Sequence, residues 1–199
     1  NGSGKTTIIK MICSVKHYSV ASFQPSRPAG QRSVVGLAAQ PMERVRVGFV
    51  GLGQRGREAV MRWCHLERTD IVAVCDLSAD SVADVQQLLR DNGRPASLAC
   101  SSAEQLCDMP NLDLVYVCTD WASHFSMACC ALEHGHHVAV EVPAVMTIRE
   151  AWQLVDLAER QQLHCMMLEN CCYDYFELAT AAMAQQGLLG EVVHGEGGY

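Results

Sequence analysis

A glycine-rich turn between an apolar segment and a helix-like segment constrains the fold more than any other feature of this sequence. The apolar segment Val45–Val50 has the pattern of a buried strand. It leads into Gly51-Leu52-Gly53-Gln54-Arg55-Gly56, which has the G-x-G-x-x-G spacing. A second short apolar segment, residues 71–75, ends at Asp76, 20 residues after Gly56. Strand, turn, helix, strand and acid in this register predict an α/β fold built on a doubly wound parallel sheet.

Each part of this unit has a physical role in binding a dinucleotide. The glycines at Gly51 and Gly53 allow a tight turn and a close approach of the backbone to a pyrophosphate at the helix N-terminus. Asp76 would accept hydrogen bonds from the adenosine ribose and would repel a 2′-phosphate. Leu77 and Ser78 follow it, with no arginine to hold that phosphate, so the sequence favours NAD over NADP. The alternative is a doubly wound domain whose glycines serve packing alone.

Strands and helices continue to alternate along the chain. Further strands are predicted at residues 97–100, 112–118, 137–141 and 164–168, and helices at residues 57–65, 81–90, 103–108, 123–133, 148–160 and 173–185. Such alternation predicts a parallel sheet with right-handed crossovers, whose ligands bind beyond the carboxyl ends of the strands. A strand beginning at residue 191 would open a second domain.

The pattern divides the chain into three parts. Residues 1–44 are interpreted as a leader or linker, residues 45–170 as a Rossmann domain that binds NAD, and residues 171–199 as the start of a substrate-binding α+β domain. Residues 1–7 match the second half of a P-loop, but the leading glycine and the strand that positions such a loop would lie before Asn1, outside this sequence. Nucleotide hydrolysis at Lys5 is therefore the weaker interpretation. We expect the chain to be a fragment of a longer protein, able to bind the nucleotide but inactive by itself.

The composition excludes several classes of protein. The net charge of −7 argues against a nucleic-acid partner. No apolar run is long enough to span a membrane. Assembly of the protein into a homo-oligomer remains an alternative. The eleven cysteines contain no Cys-x-x-Cys pair, and we predict that most are reduced core residues, with disulfides as the alternative. Three histidines surround Gly135, but they lack an obvious fourth ligand, so no metal site is predicted.

A combination of motifs resembles one known family. A strand that ends in Glu-Lys-Pro marks the glucose-fructose oxidoreductase type (Gfo/Idh/MocA) of NAD(P)-dependent sugar dehydrogenases, and this chain has Glu141-Val142-Pro143. That motif, together with residues 121–124, 168–173 and 190–195, resembles the NAD-dependent glycoside hydrolases of family 109. The known activity of that family is α-N-acetylgalactosaminidase. The resemblance covers residues 45–199.

The resemblance implies a set of contacts at positions of this sequence that match the family. NAD would contact the glycine turn, the ends of three strands and the residue that follows the last strand: Gln54, Arg55, Asp76, Trp121, Ala122, Ser123, His124, Glu141, Val142 and Asn170. For His124 the alternative is a polar group at the start of a helix. Tyr199 would contact the sugar, a terminal N-acetylgalactosamine of a glycan. No catalytic residue is assigned, because the rest of the sugar pocket would lie beyond Tyr199.

The missing lysine distinguishes the reactions that the resemblance allows. In the dehydrogenases, the lysine of Glu-Lys-Pro assists proton removal from the hydroxyl that is oxidised. Val142 has no amine, and no lysine follows Lys16. The resemblance therefore favours a glycosidase over a net sugar dehydrogenase. In that reaction hydride leaves the sugar C3 for NAD, the aglycone is eliminated, water adds and hydride returns. A third hypothesis is a protein that binds NAD without catalysis.

Overall fold

A computed structural model describes residues 32–34 and 36–195 of the chain. They form two compact units, one ending at Met167 and the other beginning at Leu168. Six strands make up the sheet of the first unit: β1 (Val45–Val50), β2 (Thr69–Cys75), β3 (Leu98–Cys100), β4 (Leu114–Val117), β5 (His137–Val140) and β6 (Cys165–Met167). Its helices are α1 (Gln54–Cys64), α2 (Ala79–Asp91), α3 (Ala103–Cys107), α4 (Trp121–Glu133) and α5 (Ile148–Gln161).

All neighbouring strands pair in parallel, in the order β3-β2-β1-β4-β5-β6. The chain direction across the sheet reverses between β1 and β4, which is the switch point where such sheets bind their ligands. The order is that of a Rossmann fold, as the sequence predicted. Every strand therefore points its carboxyl end toward the same edge of the sheet.

Local sequence explains where the helices begin. Ser78, Ser102 and Asp120 are N-caps whose side chains accept hydrogen bonds from the first turns of α2, α3 and α4. At α5, Thr147 and Glu150 form a capping box. The caps of α2, α3 and α4 place these helix starts shortly after the carboxyl ends of the preceding strands.

The core lies on both faces of the sheet. All four residues of β4 are buried, which explains their continuous apolar run. On one face Phe49 and Tyr116 stack with ring centroids 5.0 Å apart, and Trp63 of α1 packs edge-on against both. Cysteine also fills the core, as predicted: within the described residues, buried free thiols occur at Cys64, Cys75, Cys100, Cys107 and Cys118.

The predicted elements agree with the structure in number and order up to the end of the sheet, and their boundaries differ. Helix α1 begins at Gln54 rather than at residue 57, because the second half of the glycine turn is already its first turn. Strand β4 begins at Leu114 rather than at residue 112, since Leu114 is the first residue in register with β1 and β5.

The second unit contains a short 3₁₀ turn, Cys171–Tyr173, followed by helix α6 (Tyr175–Gln185). The strand predicted from residue 191 is wrong for the described part, because Glu191–Gly195 has no regular secondary structure. A strand needs a neighbour for its backbone hydrogen bonds, and no described residue of this unit supplies one. No described helix is long and apolar enough to cross a membrane. The P-loop-like residues 1–7 lie outside the described residues.

Candidate functional site

A cavity of about 670 Å³ opens at the carboxyl edge of the sheet, at the switch point between β1 and β4. Five residues predicted to bind the cofactor line it together: Gly51, Gly53, Gln54, Arg55 and Asp76. Ser123, a sixth predicted residue, lines the same cavity from α4. The structure therefore brings the glycine turn, the end of β2 and the start of α4 to one place.

Neighbouring backbone atoms leave no room for a side chain at two glycines of the turn, Gly51 and Gly56, whereas the third, Gly53, faces open space. Gly51 has a φ of +90°, and a Cβ there would lie 2.5 Å from the carbonyl oxygen of Cys118. A Cβ on Gly56 would lie 2.0 Å from the carbonyl oxygen of Gly51, so the helix can start this close to the strand only without a side chain. A Cβ on Gly53 would meet nothing within 4 Å. The space over Gly53 is where a ligand can approach the backbone.

Asp76 lies at the end of β2 with both carboxylate oxygens held by the backbone. Its Oδ2 accepts the amide of Leu52 at 2.5 Å, and its Oδ1 accepts the amide of Ser78 at 2.7 Å. These bonds tie the acid to the glycine turn and fix its direction. Each oxygen keeps a further lone pair for the hydroxyls of a ribose.

Arg55 stands in the first turn of α1 and reaches across to the end of β5. Its Nε lies 3.2 Å from Oε1 of Glu141, whose side chain is about one-tenth exposed, against half for Arg55. The hydroxyl of Tyr116 donates to the same Oε1 at 3.0 Å. The charge of Glu141 raises the pKa of Arg55, and burial raises the pKa of Tyr116. Glu141 is thus a buried carboxylate held by one cation and one hydroxyl.

The start of α4 is capped from within. Asp120 accepts the amides of Ala122 and Ser123 at 3.0 and 3.2 Å and the Ser123 hydroxyl at 2.6 Å. The hydrogen bond from Ser123 lowers the pKa of Asp120. Trp121 and Ala122 are exposed and do not line the cavity. Their contact with the cofactor stays a prediction.

His124 is buried beneath the start of α4 rather than facing the cavity. Its Nδ1 lies 2.7 Å from the carbonyl oxygen of Pro143, and its Nε2 lies 3.0 Å from that of Thr119. The ring therefore connects the loop after β4 with the loop after β5. This geometry suits a residue that fixes both loops, which is the helix-start alternative left open by the sequence.

Three further predicted contacts stay predictions. Val142 is exposed in the loop after β5, between Glu141 and Pro143. Asn170 is exposed and belongs to the second unit, so its predicted contact with NAD stays a prediction. Tyr199, predicted to contact the sugar, lies outside the described residues.

Sequence reasoning missed one wall of the cavity. Ser101 and Ser102 line it from the loop between β3 and α3, and Glu104 lines it from the first turn of α3. The signal was present, because Ser102 followed by Gln105 is the S-x-x-Q pattern of a capping box. The structure shows half of this pattern: Ser102 Oγ accepts the amide of Gln105 at 3.1 Å, whereas Gln105 Oε1 accepts the amide of Ser101, one residue before the N-cap, at 2.6 Å.

Burial disfavours the thiolate form of the cysteines at this edge. Burial raises the pKa of Cys75 to about 11 and that of Cys118 to about 12, so both stay protonated near neutral pH. The histidines around Gly135 are equally engaged elsewhere. The ring nitrogens of His136 lie 3.0 Å and 2.6 Å from the carbonyl oxygens of Leu112 and Cys107. Within the described residues no group of three or more candidate ligands could hold a metal.

The residues of the cavity fit a dinucleotide. The open backbone at Gly53 and the start of α1 suit a pyrophosphate, and Asp76 suits the adenosine ribose. Arg55 is the one cationic side chain that lines the described cavity, and its guanidinium is paired with Glu141. No lining residue would therefore neutralise a 2′-phosphate, and the site matches NAD.

Comparison with known sequences agrees with this site. Residues 45–169 match the Gfo/Idh/MocA family, described as an oxidoreductase family with an NAD-binding Rossmann fold. The chain is 51% identical over 179 residues to glycosyl hydrolase family 109 protein 1 of Bacteroides fragilis, covering 88% of this chain and 39% of that protein. It is 46% identical over 202 residues to the family 109 protein 1 of Phocaeicola vulgatus, covering 99% and 43%. The chain thus spans about two fifths of the length of these relatives.

Solved structures show the same architecture. An NAD-binding protein from Listeria innocua is 26% identical with a TM-score of 0.60, covering 74% of this chain and 42% of that one. The scyllo-inositol dehydrogenase from Lactobacillus casei, solved with NAD(H) and scyllo-inositol, has a TM-score of 0.65 at 16% identity, covering 74% and 43%. The chain belongs to the Gfo/Idh/MocA oxidoreductase family, its cofactor is NAD, and it is similar to glycosyl hydrolase family 109 proteins.

Proposed function

We propose that this chain is the cofactor-binding part of an NAD-dependent glycosidase that removes terminal α-linked N-acetylgalactosamine from glycans. The proposal rests on the identity of about half of its residues to family 109 proteins along nearly all of its length. The NAD cavity at the switch point supports the cofactor requirement. The sugar specificity comes from the resemblance of the sequence motifs to that family.

The single observation that favours a glycosidase over a dehydrogenase is Val142. It takes the place of the lysine that the dehydrogenases use, and its side chain is exposed in the loop after β5. A valine can neither accept nor donate a proton. Hydride transfer from the sugar C3 needs a base for the hydroxyl proton in a net and in a transient oxidation alike; within the described cavity no lysine or histidine is present, so this base would come from residues outside the cavity.

The side chains of this part of the protein would bind and orient the cofactor. Asp76 would hold the adenosine ribose, the backbone around Gly53 would face the pyrophosphate, and Arg55 would supply positive charge beside it. When bound, NAD supplies reversible hydride acceptance at the sugar C3, which makes elimination of the aglycone and addition of water feasible without net oxidation. Because a ketone at C3 acidifies the proton on C2 and so promotes elimination of the aglycone, this chemistry would not depend on paired carboxylates.

An aryl α-N-acetylgalactosaminide tests this proposal in the full-length protein. We expect aryl alcohol release that requires added or bound NAD and that produces no net NADH absorbance. The matched control is the corresponding α-N-acetylglucosaminide, which differs at one hydroxyl and should react much more slowly.

Two outcomes would contradict the proposal. Steady NADH accumulation from free N-acetylgalactosamine would indicate a sugar dehydrogenase instead. Binding of NAD without release of aryl alcohol from either glycoside would leave a protein that binds the cofactor without glycosidase activity.

A further inference from the structure

Arg55 occupies a position that helix electrostatics disfavours. It lies in the first turn of α1, where the partial positive charge of the helix favours acidic side chains. That turn contains no acidic residue, and its N-cap, Gly53, offers no side-chain hydrogen bond. A cation at such a place needs an anionic partner. The protein supplies one partner, Glu141, at 3.2 Å.

Glu141 in turn is held in place by a residue of the core, Tyr116. Its carboxylate is almost fully buried, and both of its contacts, from Arg55 and from Tyr116, converge on Oε1. A buried carboxylate is stable only when it is paired and hydrogen-bonded. The Tyr116 hydroxyl therefore limits the positions that this carboxylate can take.

Tyr116 itself has little freedom. Its ring stacks on Phe49 at 5.0 Å and meets Trp63 edge-on at 6.1 Å. The residue belongs to β4, which is buried along its whole length in the centre of the sheet. A chain of contacts thus runs from a rigid aromatic cluster through one carboxylate to the guanidinium at the rim of the cavity.

The cavity makes the direction of that guanidinium important. Three lining carboxylates, those of Asp76, Glu104 and Asp120, would repel a pyrophosphate, and Arg55 is the one lining cation of the described cavity. The contact of Arg55 with Glu141 is made by Nε, and a guanidinium carries four more N–H donors on its two terminal nitrogens. Half of the side chain stays exposed beside the open backbone at Gly53.

We propose that Tyr116 is a positioning residue for NAD binding: through Glu141 it holds the Arg55 guanidinium so that its remaining N–H groups face the cofactor pyrophosphate. This inference concerns the cofactor site alone and stands apart from the proposed glycosidase reaction. It assigns a role to a hydroxyl that lies in the sheet beneath the cavity, outside its lining.

The test is a double-mutant cycle read as the Kd of NAD, measured by calorimetry on the purified protein. Arg55→Ala should weaken NAD binding by about 10- to 100-fold, the range of a lost charge-assisted hydrogen bond. Tyr116→Phe keeps the ring and removes the hydroxyl, and it should weaken binding by about 3- to 10-fold. In the Arg55→Ala background, Tyr116→Phe should change the Kd by less than about twofold, because the residue through which it acts is gone.

Controls separate positioning from general damage. Arg57→Ala removes another arginine of the same helix, one that pairs with Asp84 and does not line the cavity, and it should leave the Kd of NAD unchanged. Adenosine has no phosphate, so its affinity should be the same in the Tyr116→Phe protein as in the parent. ADP should lose affinity as NAD does.

Two results would overturn the proposal. One is an additive loss, in which Tyr116→Phe weakens NAD equally with and without Arg55. The other is an equal loss for adenosine, which would indicate a distorted cavity. Should Tyr116→Phe not fold, as judged by circular dichroism, Glu141→Gln takes its place in the same cycle. The glutamine can still accept from Tyr116, and additivity with Arg55→Ala would again contradict the proposal.

Discussion

We expect the carboxylate of Asp76 to decide between NAD and NADP. Asp76→Asn keeps an oxygen for the amide of Leu52 and removes the negative charge. NAD binding should weaken about tenfold, since a hydrogen bond to a charged group is worth about 1.5–3 kcal/mol, part of which the amide retains. NADP binding should strengthen, because the repulsion of the 2′-phosphate is lost. Competition of the two dinucleotides against a fluorescent analogue measures both changes.

The control for that substitution is Asp91→Asn at the far end of α2, which should leave both affinities as they are. Asp91 contacts Gln87 on the exposed side of the helix and does not line the cavity. If Asp76→Asn leaves the ratio of NAD to NADP affinity unchanged, the acid has no part in selecting the cofactor.

His124 is expected to stabilise the fold at this edge. His124→Leu removes the two ring nitrogens that lie within hydrogen-bond distance of the carbonyl oxygens of Thr119 and Pro143. Leaving a buried acceptor without a partner costs about 1–3 kcal/mol, so the free energy of unfolding in urea should fall by that amount. Ser126→Ala, at an exposed position of the same helix, should change it by less than about 0.5 kcal/mol. An equally small change in the free energy of unfolding of His124→Leu would contradict a stabilising role for His124.

Ser123 and His124 show what the sequence reveals about a site and what it does not. Their position after the fourth strand predicts that both lie at the carboxyl edge of the sheet, and both do. Successive helical residues point about 100° apart, so only one of the pair can face the cavity. The phase of the helix is set by its N-cap, Asp120, and by packing on the sheet. A single sequence does not reveal that packing.

At the level of elements, the glycine turn meets two separate requirements: close packing of α1 on β1 at Gly56, and space for the cofactor at Gly53. Gly56→Ala should lower the stability of the protein, because its Cβ would lie 2.0 Å from the Gly51 carbonyl oxygen and would force α1 away from β1. Gly53→Ala should leave the thermal midpoint nearly unchanged, since its Cβ meets no protein atom within 4 Å. It should still weaken NAD binding at least tenfold, because the methyl group occupies the space of the pyrophosphate.

Thermal unfolding and NAD titration of the two variants distinguish these requirements. The glycine turn would have a different organisation if Gly53→Ala lowered the midpoint as much as Gly56→Ala does. Equal NAD affinity of Gly53→Ala and the parent protein would show that the cofactor does not approach the backbone there.

The sequence predicts the elements well where strands and helices alternate along the chain. It predicts them poorly where a strand forms only if another strand pairs with it. The start of β1 and the bounds of α5 to within a residue follow from local apolar patterns and from the Thr147 cap. The segment after Gly190 has the local pattern of a strand and yet remains irregular over Glu191–Gly195. A strand depends on a partner elsewhere in the chain, and this dependence is absent from any short window of sequence.

At the scale of the first unit, the cavity and a group of ion pairs lie at opposite edges of the sheet. The cavity lies at the carboxyl edge, whereas the amino edge carries ion pairs between strands. Arg46 holds Asp113 through two hydrogen bonds of 2.8 and 2.6 Å, and Arg44 holds Asp70 in the same manner at 2.7 and 2.6 Å. Substitutions at the amino edge should therefore change unfolding before they change NAD affinity.

The amino edge also contains a pair of histidines that we expect to make the protein sensitive to acid. The rings of His137 and His164 lie 4.9 Å apart, and His137 Nδ1 accepts the amide of His164 at 3.0 Å. Burial lowers the pKa of His137 from 6.5 to about 4 and lowers that of His164, whereas nearby Asp113 acts in the opposite direction on His137. Both rings are therefore neutral in the folded protein at pH 7.

As the pH falls, the histidines are protonated near pH 6.5 in the unfolded chain and only at lower pH in the folded protein. Their contribution to the free energy of unfolding is therefore fully present above pH 6.5 and is lost as the pH falls toward 4. The loss at His137 should be at most about 3 kcal/mol, and less than that because the ring is partly exposed. Urea unfolding at several pH values between 7.5 and 4.5 measures this slope. His137→Gln should flatten it, whereas His65→Gln, at an exposed position, should leave it unchanged. A slope that is equally steep in His137→Gln would show that the acid sensitivity arises from other groups.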